Sequence, residues 1–105
     1  MNKSANYYFT IVVPVYNEED NIYALEKSLQ AFLPKSLYPA CVLFVNDGSK
    51  DNSEKLIKEV CERNSDFFYL SLKRKGGLSA AMKAGIDAAC SPYVGYMDAD
   101  LLQPP

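Results

Sequence analysis

Apolar residues fall into short unbroken runs, separated by stretches with helical spacing. Residues 9–15 (FTIVVPV) form the first run, the pattern of a strand covered on both faces. Pro14 stands near its end, where a missing ladder donor is tolerated. Asn17-Glu18-Glu19-Asp20-Asn21 then offers capping and acidic first-turn residues. Ile22, Leu25, Leu29 and Phe32 recur at helical spacing, and Pro34 is expected to close the helix. A second buried strand is predicted over 41–45 (CVLFV), followed by a turn at Asn46-Asp47-Gly48-Ser49. Asp51 and Glu54 have capping-box spacing, and Leu56, Ile57 and Val60 supply the apolar stripe of a second helix. Its wet side carries Glu54/Lys58 and Glu59/Arg63 as i,i+4 pairs, and Asn64 is expected to end it. A third strand is predicted over 67–72 (FFYLSL), and Gly76-Gly77 then breaks the chain. The third helix is predicted over about 79–89. Its Ala80, Ala81, Ala84, Gly85, Ala88 and Ala89 are small enough to let it lie close on a sheet. Residues 93–97 (YVGYM) predict a fourth buried strand.

The order β-α-β-α-β-α-β implies right-handed crossovers and an α/β fold, a Rossmann-like doubly wound, mostly parallel sheet. Residues 1–8 are read as a tail and 9–105 as one domain. In such sheets ligands bind beyond the carboxyl ends of the strands, where strand order reverses. Chemistry is therefore expected after Val15, Val45, Leu72 and Met97.

Composition narrows that chemistry. The 105 residues include no histidine and no tryptophan. Histidine-dependent nucleophile schemes and histidine metal sites are excluded. Eleven basic and thirteen acidic residues give a formal charge of −2, and the one basic run, Lys73-Arg74-Lys75, is too short to track a nucleic-acid backbone. Cys41, Cys61 and Cys90 are odd in number and far apart. They are read as reduced, buried side chains of a cytoplasmic protein. No apolar run approaches a membrane span, and the first residues lack the apolar stretch of a signal peptide.

Each expected strand end carries polar groups: Tyr16, Asn17 and Glu18; Asn46 and Asp47; Lys73, Arg74 and Lys75; Asp98 and Asp100. In extended backbone, residues i and i+2 point the same way, so Asp98 and Asp100 face one point. Two carboxylates that close call for a cation between them, and hard oxygen donors suit Mg²⁺ or Mn²⁺. Asp47 admits two roles, an Asp-Gly turn with a helix cap or an acceptor for a nucleobase edge. Glu18 and Glu19 either favour a helix dipole or line a site, and Tyr16 either packs or offers a face for a base. The basic loop ending in Gly76-Gly77 is either a flexible surface loop or a source of cations and backbone amides for phosphate. It is neither a Walker A loop nor a dinucleotide fingerprint.

Together VVPVYNEEDNI, VNDGSKDNS, KGGLSAAMKAGIDAA and YMDADLLQPP resemble the family 2 glycosyltransferases of GT-A fold, closest to the polyprenyl- or dolichol-phosphate sugar transferase branch. The resemblance spans residues 9–105 and implies transfer of a sugar from a UDP- or GDP-linked donor, usually with inversion. It implies that Pro14, Tyr16, Glu18, Asp47, Arg74 and Asp98 line the nucleotide site. It assigns Asp98 and Asp100 to Mg²⁺ or Mn²⁺, and makes a polyprenyl phosphate a candidate acceptor. Two departures stand out. Asn46 replaces the first of two aspartates common before the glycine, and Leu102-Gln103 stands where relatives carry a glutamine one residue earlier. The family's general base lies after the DxD, so it is expected beyond Pro105, with this stretch the donor-binding half, inactive alone and prone to self-association. The parent is expected at the cytoplasmic side of a membrane. The alternative is a non-catalytic nucleotide-binding or interaction module.

Overall fold

The computed structural model describes residues 7–97. Strand β1 (Phe9–Val15) leads to helix α1 (Ile22–Phe32), which runs into a single 3₁₀ turn at Leu33–Lys35. Strand β2 (Ala40–Asn46), helix α2 (Ser53–Glu62), strand β3 (Phe67–Ser71), helix α3 (Leu78–Ala88) and strand β4 (Tyr93–Tyr96) follow. Among the described residues the four strands form one parallel sheet in the order β3-β2-β1-β4. The chain steps outward from β1 to β3, then crosses back over the sheet to place β4 on the other side of β1. The strand order therefore reverses between β1 and β4, as the doubly wound expectation requires.

The period of two along the strands divides the core. Ile11, Val13 and Val15 of β1 and Val42 and Phe44 of β2 meet Ile22, Leu25 and Leu29 of α1 and Ile57 and Val60 of α2. On the opposite face Val12, Leu43 and Val45 pack on Ala81, with Met82, Ala84 and Ala88 alongside. Gly85 lies so close to the sheet that an added Cβ would come within 2.5 Å of a Val12 methyl. The small-residue reading of α3 thus holds, though its buried residues are Ala81 and Gly85 alone.

Several local expectations are corrected. No acidic residue stands in the first turn of α1, and Asn21 caps it without a side-chain bond. The capping box of α2 does not form. Its cap is Asn52, Asp51 accepts from the Ser53 amide (2.9 Å), and Glu54 accepts from Asn46 Nδ2 (3.3 Å). Lys58 and Glu54 pair at 3.6 Å as expected. Glu59 and Arg63 do not, because Arg63 turns to the more buried Glu26, and Glu59 accepts instead from the Tyr23 hydroxyl (2.7 Å). Among the described residues strand β4 stands at the sheet edge rather than buried, with Tyr93, Val94 and Tyr96 exposed. Cys41 is buried and Cys61 partly so, but Cys90 is exposed. No helix among the described residues is long and apolar enough to cross a membrane.

Candidate functional site

The carboxyl ends of β1, β2 and β3 bring polar groups together on one edge. Two turns there are tied to each other. The Asn17 amide donates to Ser49 Oγ (2.9 Å), and Asn17 Oδ1 accepts from the Lys50 amide (2.8 Å). The Glu18 amide donates to Ser53 Oγ (2.8 Å). The Glu19 amide donates to Asp51 Oδ2 (3.2 Å), and Glu19 Oε2 accepts from the Asn52 amide (3.3 Å). Asn17 takes φ of 51° to make this possible, a left-handed conformation that asparagine tolerates better than most residues. The acidic stretch after β1 therefore works as lacing for the β2–α2 turn. Burial raises the Asp51 pKa, but the hydrogen bonds from Ser53 and Glu19 outweigh it and leave the carboxyl below its ordinary value.

Asp47 is almost fully buried, 4% exposed. Its carboxylate accepts from the amides of Gly76 (2.8 Å) and Gly77 (3.0 Å). The Asp-Gly turn is present, with Gly48 at φ of 71°, but the helix end that Asp47 serves is that of α3, where Gly77 is the cap. Gly76 and Gly77 are consequently not a free phosphate loop. Gly77 needs its φ of 91°, and a Cβ on Gly76 would lie 2.8 Å from that of Ala80.

Between β3 and these glycines run Lys73, Arg74 and Lys75, all exposed. Lys75 Nζ sits 4.9 Å from the centre of the Tyr16 ring, a cation–π distance. This pair stands between two recesses. One, about 210 Å³, is lined by Pro14, Val15, Tyr16, Glu18, Asp47, Lys75 and Leu78. The other, about 630 Å³, includes Tyr16, Asn46, Glu54, Ser71 and the three cations. Glu54 lines it, and the hydrogen bond from the Ser71 hydroxyl, followed by the charge of Lys58, holds its carboxyl below the ordinary value.

Of the expected nucleotide residues, Pro14, Tyr16, Glu18 and Asp47 share the first recess and Arg74 lines the second. Asp98 and Asp100 lie outside the described residues. Met97 donates its amide to Val12 O (3.0 Å), which continues the parallel pairing of β4 with β1. Among the described residues no group of three acidic, cysteine or histidine side chains could hold a metal. Lys75 was expected only as part of a basic loop. Its position beside both recesses depends on the chain reversal at Gly76-Gly77, which sequence spacing does not display.

Comparison with known proteins agrees with this architecture. The model of the family described as Glycosyl transferase family 2 matches residues 10–105, and the chain belongs to that family. It is 36% identical over 95 residues to the bactoprenol glucosyl transferase of Shigella phage SfV, covering 90% of this chain and 31% of that protein. It is 35% identical over 97 residues to the undecaprenyl-phosphate 4-deoxy-4-formamido-L-arabinose transferase of Pseudomonas fluorescens (strain SBW25), covering 91% and 28%. Among solved structures, S. aureus TarS 1-349 in complex with UDP-GlcNAc superposes with a TM-score of 0.71 at 27% identity, covering 88% of this chain and 26% of that one. The fold is thus the Rossmann-like part of a GT-A glycosyltransferase. The chain spans less than a third of the length of the curated relatives it matches.

Proposed function

We propose that this chain carries the donor site of a glycosyltransferase that moves a sugar from a nucleoside diphosphate to an acceptor. The observation that carries the reading is the recess formed by Pro14, Tyr16, Glu18 and Asp47 beside the cations of the β3–α3 loop. A base fits the Tyr16 side, where an aromatic face and a carboxylate stand together. The diphosphate fits toward Arg74 and Lys75, whose charge offsets its own.

Asp98 and Asp100 are the residues proposed to hold Mg²⁺ or Mn²⁺, since paired carboxylates form a hard oxygen donor set. The ion would supply neutralisation of the charge that grows on the leaving diphosphate as the glycosidic bond breaks. The chain's own residues orient the donor and keep its diphosphate against fixed cations. The general base is proposed to lie beyond Pro105, and the reaction to proceed with inversion. The names of the phage and Pseudomonas relatives support a polyprenyl phosphate as acceptor. An acceptor of that kind would place the whole protein at the cytoplasmic side of a membrane.

The reading is tested by thermal unfolding with UDP or GDP and Mn²⁺. A ligand at a hundredfold excess over Kd stabilises by about 2.7 kcal/mol, so the melting temperature should rise by about ten degrees. Asp98→Ala should remove the metal-dependent part of the rise. A well-folded protein that answers to neither nucleotide would sink the donor-site reading and leave the interaction module. Residues 1–105 alone should transfer no sugar.

A further inference from the structure

We propose that Asp47 is the positioning residue that seats the basic β3–α3 loop, and so sets affinity for the diphosphate whatever base it carries. This rests on the donor-site reading. The base contact considered for Asp47 would act on the nucleobase. The hydrogen bonds found here act on the loop.

Residues 72–77 are held at both ends by the short segment Asn46-Asp47-Gly48. At the near end the Leu72 amide donates to Asn46 O (2.8 Å). At the far end the Asp47 carboxylate takes the Gly76 and Gly77 amides. Between them Gly48 lies so close to the loop backbone that an added Cβ would come 2.4 Å from Lys75 N and 2.6 Å from Arg74 C. The three cations therefore project from a backbone clamped on one tripeptide. The anion position at the start of α3, where a helix dipole favours negative charge, is filled by the chain's own carboxylate. Phosphate must then be met by side chains, Arg74 and Lys75, rather than by the glycine amides.

The test uses the full chain and Asp47→Asn. An amide oxygen accepts, but the amide nitrogen would face a backbone N–H, so one of the two bonds is lost. Binding of UDP, GDP and inorganic pyrophosphate is compared by calorimetry with Mg²⁺ present. Loss of one charge-assisted bond should weaken all three by a common factor, roughly tenfold or more. If pyrophosphate binds as before while a nucleotide weakens, Asp47 acts on the base and the proposal is overturned. Two arms need no ligand. Tryptic cleavage after Lys73, Arg74 or Lys75, read by mass spectrometry, should be several times faster in Asp47→Asn, and an unchanged rate overturns the seat. In the unaltered protein, the Gly76 and Gly77 amides should exchange hydrogen much more slowly than that of Arg74, and equal rates overturn it without any variant. If the unaltered protein binds none of the three probes, the donor-site reading and the affinity claim fall together. The cleavage and exchange arms still decide the seat.

Discussion

At residue scale, glycines mark where backbones come closest. Gly85 has a sheet methyl where its own Cβ would be, 2.5 Å away. Because α3 carries alanines on both sides of it, the helix can withdraw only as a unit. Gly85→Ala should therefore destabilise by about 1–3 kcal/mol, the usual cost of overpacking. Urea unfolding that gave an unchanged midpoint would show that α3 is looser than described. Gly95 makes a comparable contact, with the Phe9 ring 2.4 Å from a Cβ position. The small residues of α3 announce the first approach in the sequence, though not the methyl it meets; the contact at Gly95 is not visible there. Burial was easier to anticipate than contact, yet Cys90 escaped even that. It lies in the connection between α3 and β4, where no periodicity dictates which way a side chain faces.

At element scale, helix and strand identity followed from periodicity, while the charge pairing between helices did not. Glu26 on α1 is 6% exposed and takes Arg63 through two bonds, 2.7 Å to Nε and 2.6 Å to Nη2, with Asn64 adding a third at 2.8 Å. The Arg63 hydrogen bond leads the causes that hold the Glu26 carboxyl below its ordinary value, and the same bond raises the pKa of Arg63. The local spacing favoured Glu59. A buried carboxylate, however, pays more for lacking a partner than an exposed one does, so the long-range pairing wins. A depressed folded pKa stabilises above the unfolded value and loses that contribution as pH falls through the folded one. Glu26→Gln should thus cost on the order of 1 kcal/mol near neutrality, limited by the half-exposed guanidinium. Below about pH 4 the gap in urea midpoint between the two proteins should close. A gap that stayed constant from pH 7 to pH 3 would mean that the pair does not stabilise.

For the whole molecule, the parallel sheet ends among the described residues at β4, whose Tyr93, Val94 and Tyr96 are exposed, beside Leu78 and Ile86 of α3. Free strand edges invite pairing, and a lysine on the edge suppresses it. A protein of residues 1–105 should show a mass that rises with concentration in light scattering, and Val94→Lys should reduce the rise. A constant single-chain mass would remove the expectation. The polar ends of β1, β2 and β3 were legible in sequence because a doubly wound sheet sends the carboxyl ends of its strands to one edge. How those ends divide the work was not. Asp47 reaches a loop 29 and 30 residues on, and the acidic stretch at Glu18 and Glu19 spends its amides on another turn. Sequence spacing reports neighbours along an element, not partners across an edge.

The lacing between the β1–α1 and β2–α2 turns has a consequence for how this edge tolerates change in length. Each bond joins a position in one turn to a counterpart 32 to 35 residues later. A single inserted residue in either turn would put every later donor opposite the wrong acceptor. The two turns are thus coupled in length, and an insertion in either would break several of these bonds at once.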